Sequence, residues 1–153
     1  MTEHTTVHST FALERQYPHP PTRVFGAFSN EREKAKWFAD PAGGPEITWE
    51  FDFREGGREL NSGPYEGRIH TFEAIYHDIV EHERIVYSYT MIVDGAKLSA
   101  SLATLVFEPI DGGTRLTLTE QGAFFDGHDD PAERERGTIE LLDLLGASLD
   151  LSS

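Results

Sequence analysis

The chain has 153 residues, 38% hydrophobic and 26% charged, which suits one folded domain with a real core. Twenty-seven acidic against thirteen basic residues give a formal charge of −14, a surface that repels phosphate backbones and anionic lipid and so argues against nucleic-acid or membrane-surface partners. Cysteine is absent, which excludes disulfides and thiolate chemistry, and no apolar run approaches the roughly 20 residues of a membrane span.

In chain order, the polar start Met1–Thr6 lacks the pattern of a secretory signal, and residues 1–5 are expected to be disordered. Val7 to Tyr17 reads as a first strand. Pro20-Pro21 opens a short helix carrying Val24, Phe25 and Phe28 at helical spacing. Asn30 with Glu33 forms a capping-box-like start for a second short helix, running to Trp37-Phe38 and stopping before Asp40-Pro41. From Ile47 the period changes to two: Ile47, Trp49, Phe51 and Phe53 alternate with polar residues, the mark of a half-buried strand. Gly56-Gly57 turns the chain into a short strand, Arg58 to Asn61, which Asn61-Ser62-Gly63-Pro64 breaks. Thr71 to Val80 and Arg84 to Val93 follow, then Asp94-Gly95 as a tight hairpin, Lys97 to Phe107, and Arg115 to Gln121. Hairpin-linked strands in series predict one antiparallel sheet. Asp130-Pro131-Ala132-Glu133 punctuates the start of a long helix at about 132–149. Its stripe is Arg134, Gly137, Leu141, Leu144, Leu145 and Ser148, expected to cover the sheet. The predicted class is therefore α+β, with about seven strands, two short helices after the first strand and one long C-terminal helix, as a single domain over residues 1–153.

These elements carry a family likeness. Pro20-Pro21-Thr22-Arg23-Val24-Phe25, Trp37-Phe38, Phe51-Asp52-Phe53-Arg54-Glu55-Gly56-Gly57, Arg84-Ile85-Val86-Tyr87-Ser88-Tyr89, and Thr114 through Phe124 stand in that order, ahead of the Arg134-to-Leu142 helix. The chain resembles the SRPBCC (START-like) superfamily, and within it the group similar to the C-terminal domain of the heat-shock protein 90 ATPase activator. The resemblance implies a helix-grip fold, in which a curved antiparallel sheet wraps the long helix. It also implies a cavity between sheet and helix that holds apolar small molecules in many members, without naming a ligand.

The chemistry-bearing residues exclude more than they assign. The seven histidines show no helical ligand pair, and Asp126-Gly127-His128-Asp129-Asp130 lacks the alternating oxygen ligands and terminal Glu of a calcium loop. No metal and no cofactor are expected. The serines sit in no nucleophile-elbow motif, and no catalytic residue is assigned. The aromatic set is too large for the surface. Trp37, Trp49, Phe51, Tyr76, Tyr87 and Tyr89 are expected to pack inward and wall a cavity. The strand Ser99-Ala100-Ser101-Leu102-Ala103 is small-sided, so an inward row of Ser99, Ser101 and Ala103 would leave space beneath Gly137 and Leu141 of the helix. Gly137 reads equally well as a close helix–sheet contact. Leu116 and Leu118 set an inward face that Glu120 shares. Arg134, in the first turns of the helix, is placed to pair with Glu120 at one end of the cavity; the alternative is that the strand frays at Thr119 and Glu120 is a solvated rim charge.

Three functional readings follow. The first is a cytoplasmic protein, monomer or homodimer, that binds an apolar or aromatic small molecule in this cavity. The second is a cyclase-, dehydratase- or hydrolase-like enzyme with Glu120 as acid or base, which needs a second polar group within hydrogen-bond reach. The third, a chaperone-interaction module, ranks lowest because the chain is expected to hold no additional N-terminal domain.

Overall fold

The computed structural model describes residues 4–38 and 47–151. Strand β1 (Thr6–Tyr17) is followed by helices α1 (Pro21–Ser29) and α2 (Glu31–Ala35). Strands β2 (Thr48–Phe51), β3 (Arg58–Tyr65), β4 (Arg68–Val80), β5 (Arg84–Val93), β6 (Ala96–Ile110) and β7 (Gly113–Phe125) come next, and helix α3 (Pro131–Leu151) ends the order. The strands form one antiparallel sheet in the order β1-β7-β6-β5-β4-β3-β2, so the first strand closes against the last. With α3 laid across the sheet, this is the helix-grip fold.

Local chemistry explains most boundaries. The Asn30 side chain caps α2 by accepting the Glu33 N–H at 3.0 Å. Asp94 and Gly95 both take positive φ, 49° and 84°, the geometry that matches a two-residue hairpin to strand twist. Asp130 accepts the Ala132 N–H at 3.0 Å at the start of α3. Thr5, expected to lack order, is held instead: its N–H reaches Asp126 Oδ1 at 2.9 Å, and its carbonyl accepts the Asp126 N–H.

Four expectations are corrected. Asn61-Ser62-Gly63-Pro64 does not break the chain; β3 runs through it to Tyr65 and turns at Glu66-Gly67. Because β2 pairs only with Glu59–Ser62, Pro64 lies on an edge where its missing N–H costs nothing. Phe53 falls outside β2, beyond the Asp52–Arg58 backbone hydrogen bond, though its ring still packs on the core. Helix α2 ends at Ala35, and a turn closed by Phe38 N–H to the Lys34 carbonyl carries Trp37 and Phe38. The stop read at Asp40-Pro41 lies outside the described residues. Finally, the buried stripe of α3 is Thr138, Leu142, Leu145, Ser148 and Leu149, one position round from the expected face. Leu144 is 54% exposed and Leu141 half-buried.

The interior has two halves. Beneath α1 and the C-terminal half of α3, Val24, Phe25, Leu105, Leu116, Leu145 and Leu149 pack tightly. Beneath the N-terminal half of α3 the sheet carries the polar and small residues described next. Truncation of a fully enclosed leucine loses its transfer energy and leaves a cavity. Leu145→Ala is therefore expected to cost about 2–5 kcal/mol in chemical denaturation, while Leu144→Ala should stay within about 0.5 kcal/mol of wild type.

Candidate functional site

Register decides which side chains meet. Residues directly opposite on neighbouring strands share a face, so Tyr76, Tyr87, Ala103 and Glu120 form one inward row across β4–β7. Glu59, Ala74, Tyr89, Ser101 and Gly122 form the adjacent row. Small residues thus alternate with large ones. They leave a cavity of about 210 Å³ between the sheet, α2 and the N-terminal half of α3.

Its apolar walls are aromatic. Phe72 stands 5.1 Å from Phe38 and 4.8 Å from Tyr89, centroid to centroid, and Tyr87 lies 5.9 Å from both Tyr76 and Tyr89. Trp37, whose indole N–H is satisfied by the Ala27 carbonyl at 3.0 Å, closes the α2 side. Gly137 and Leu141 line the helix side, and a Cβ built on Gly137 would meet nothing within 4 Å. The glycine therefore borders open space and is not a close helix–sheet contact.

Each end of the cavity carries a buried charged cluster. At one end Lys34 Nζ lies 2.6 Å from Glu59 Oε1 and 3.2 Å from the Tyr76 hydroxyl, which itself donates to Glu59 at 2.5 Å. The Trp49 indole N–H donates to Glu59 Oε2 at 3.1 Å, so both carboxylate oxygens are engaged. Burial pulls the Lys34 ammonium below its ordinary range, opposed by the Glu59 charge and hydrogen bond. At the other end Glu120 accepts from the Tyr89 hydroxyl at 2.8 Å, and Arg134 donates to that hydroxyl at 3.1 Å. The Arg134 and Glu120 charges are 3.9 Å apart, bridged by the tyrosine. Arg134 also donates to Ser99 Oγ at 2.8 Å and to Asp129 at 2.7 Å. Burial raises the Glu120 carboxyl above its ordinary 4.5, with the Tyr89 hydrogen bond and the Arg134 charge opposing.

Of the residues singled out in the sequence, Trp37, Tyr76, Tyr87, Tyr89, Glu120, Arg134, Gly137 and Leu141 line this cavity. Trp49, Phe51, Ser99, Ser101 and Ala103 do not. Trp49 stacks on Phe51 at 5.3 Å and serves Glu59 from behind. Ser99, Ser101 and Ala103 do point inward, but the space above the two serines is taken by the Phe124 ring and the Arg134 side chain. Phe124 reaches it by folding over Gly122, where an added Cβ would stand 2.8 Å from the ring. Lys34 and Glu59 carry no expectation from the sequence, and Phe72 belongs to the surplus of aromatics without being assigned to the site. Lys34 precedes Trp37 by one helical turn, a spacing visible in the sequence, whereas Glu59 is brought inward by its register opposite Phe51, which only the structure supplies. Among the described residues no group of three or more His, Asp or Glu side chains is placed to hold a metal ion, and no helix is long and apolar enough to cross a membrane.

The two clusters generate separate expectations. Glu59→Ala strands a buried ammonium and is expected to cost about 3–5 kcal/mol, whereas Lys34→Met combined with Glu59→Leu should recover much of that loss in equilibrium unfolding. Glu120, with its folded value raised, binds its proton more tightly in the native state. Its contribution is therefore full below the unfolded carboxyl value and lost as pH rises through the folded one. Glu120→Gln should flatten that limb of the stability-versus-pH curve, measured against wild type across the mildly acidic range.

Comparison with known proteins agrees with this architecture. No curated protein matches the chain. A solved structure of an uncharacterized protein from Rhizobium leguminosarum is 38% identical and superposes with a TM-score of 0.94, over 99% of this chain and 100% of that one. The Mll3558 protein from Rhizobium loti is 45% identical with a TM-score of 0.88, over 94% and 99%. The CV1439 protein from Chromobacterium violaceum is 27% identical with a TM-score of 0.73, over 92% and 96%. The family model "Activator of Hsp90 ATPase homolog 1-like protein" matches residues 18–150, and the chain belongs to that family.

Proposed function

We propose that the protein binds a small, largely apolar molecule in the cavity beneath the N-terminal half of α3. The observation that carries this reading is an aromatic-walled space of about 210 Å³ with a hydrogen-bonding cluster at each end. An apolar cavity of roughly 150 Å³ takes up benzene, so this one suits a guest of one or two rings and not a long lipid chain. The absence of cysteine agrees with action in the cytoplasm, where such a binder works as a monomer or homodimer.

A second reading draws on one contact. The Tyr89 hydroxyl, 2.8 Å from Glu120, supplies the second polar group that acid–base chemistry on the bound molecule requires. Native mass spectrometry separates the two: a binder releases its guest unchanged, and an enzyme converts it.

Gly137 gives the direct test. Glycine in a helix interior costs roughly 0.5–1 kcal/mol relative to alanine, and Gly137→Ala should stabilise the protein by about that amount because the added methyl meets open space. Gly137 lines the cavity from an exposed position, so Gly137→Leu should crowd its mouth and lower affinity for an environment-sensitive apolar dye at least tenfold, in a protein whose circular dichroism is unaltered. Undiminished dye binding by that variant would place the binding site elsewhere.

A further inference from the structure

The cavity holds three tyrosines whose hydroxyls are used differently. The Tyr76 hydroxyl is committed to Glu59 and Lys34, and the Tyr89 hydroxyl to Glu120 and Arg134. The Tyr87 hydroxyl, between them, makes no hydrogen bond with any described residue. Ser101 Oγ is the one enclosed side-chain polar atom without a partner among the described residues. The unpaired Tyr87 oxygen therefore retains accessible surface, and since the residue lines the cavity, that surface faces the guest. The same holds for the second oxygen of Glu120: Oε2 takes the Tyr89 proton, and Oε1 has no partner and is not enclosed.

Register brings these two free atoms to the same space. Tyr87 lies opposite Ala103, and Ala103 lies opposite Glu120. The two side chains thus rise from strands roughly 10 Å apart, with only the Ala103 methyl between them. One atom offers a proton and the other accepts one. A ligand hydroxyl satisfies both, accepting from Tyr87 and donating to Glu120 Oε1. A hydrocarbon satisfies neither, and leaving a desolvated hydroxyl unpaired costs on the order of 1–3 kcal/mol.

The charges around the cavity decide against an anion. Lys34 and Arg134 are positive; Glu59, Glu120 and Asp129 are negative, one charge in excess. Both cations are committed, Lys34 to Glu59 and Arg134 to Asp129, Ser99 and Tyr89. A ligand carboxylate would have to shed its water and then face Glu120 as a like charge.

Resting on the binding reading above, we infer that Tyr87 and Glu120 select the ligand: a neutral one- or two-ring molecule bearing a hydroxyl, in preference to the same skeleton with a methyl or a carboxylate in its place.

Three probes on one p-tolyl skeleton test this by isothermal titration: p-cresol, its near-isostere p-xylene, and the larger anion p-toluate. Wild type should bind p-cresol at least tenfold more tightly than p-xylene, although p-xylene is the more apolar, and should bind p-toluate no better than p-xylene. Tyr87→Phe removes one oxygen that no protein group uses, so the fold should persist, checked by thermal unfolding. In this variant the cresol-to-xylene ratio should fall at least fivefold with p-xylene affinity unchanged. Glu120→Gln, which retains an acceptor, should preserve the preference for p-cresol and relieve the rejection of p-toluate. A ratio that is unchanged in Tyr87→Phe, or p-xylene and p-cresol binding alike to wild type, overturns the assignment while leaving the cavity reading intact. Failure of all three probes to bind overturns the cavity reading and this one with it.

Discussion

The buried guanidinium of Arg134 is the constraint from which the open half of the molecule follows. A planar cation placed between helix and sheet must find acceptors for its donors, because an unpaired buried charge is worth several kcal/mol of destabilisation. Arg134 finds them on β5, on β6 and in the loop leading into α3, through Tyr89, Ser99 and Asp129. Those contacts fix the height and rotation of the first turns of α3 over the sheet. They also explain the small side chains of β6: Ser99 and Ser101 are small because Arg134 and Phe124 occupy the volume above them. Further along, where α3 carries Leu142, Leu145 and Leu149, no such spacer intervenes and the helix closes onto the leucines of β6 and β7.

A second ion pair works at the opposite wall. Lys34 reaches from α2 to Glu59 on β3 and passes between the rings of Phe38 and Phe51, 4.5 and 5.2 Å from the ammonium. An ammonium desolvated in this way is supported by ring quadrupoles as well as by the carboxylate. The pair joins a five-residue helix, too short to be stable alone, to the far side of the sheet. The cavity is the space these two clusters hold apart, walled by aromatic rings together with aliphatic side chains such as Ile85, Met91 and Leu118.

Much of this was legible in the sequence. Period-two alternation marked the segments of β2 and β7, turn residues separated the other strands, and the Asp94-Gly95 and Asp130-Pro131 signals set turn and helix where the structure has them. The inward aim of Glu120 followed from its spacing to Leu116 and Leu118. What stayed hidden has a common cause: it depends on partners distant in the chain. Lys34 and Glu59 are 25 residues apart, and each alone reads as a solvated charge. The face of α3 was misjudged because leucines at 141, 142, 144 and 145 support two rotations of the helix equally well; only the sheet's choice of Leu142 and Leu145 distinguishes them. The small-sided strand was recognised as a source of space, but Phe124, three residues past the last assigned strand position, fills that space.

Local inconsistencies in a protein tend to gather where function needs them. Three lie around this cavity. Gly137 weakens the middle of the long helix without any neighbour requiring its lack of a side chain. The Tyr87 hydroxyl is placed away from bulk water, where burial drives its titration well above the ordinary tyrosine range, and no protein acceptor is provided. Burial raises the Glu120 carboxyl above its ordinary range, and only one of its oxygens is engaged. In the tightly packed half of the interior the polar groups, such as the Tyr17 hydroxyl on the Leu142 carbonyl and Thr114 on the His19 carbonyl, are paired. Each of the three costs is removed by a single simple substitution, an alanine, a phenylalanine or a glutamine. Their concentration on one surface, facing one space, is what a binding site requires and what a packing core would eliminate.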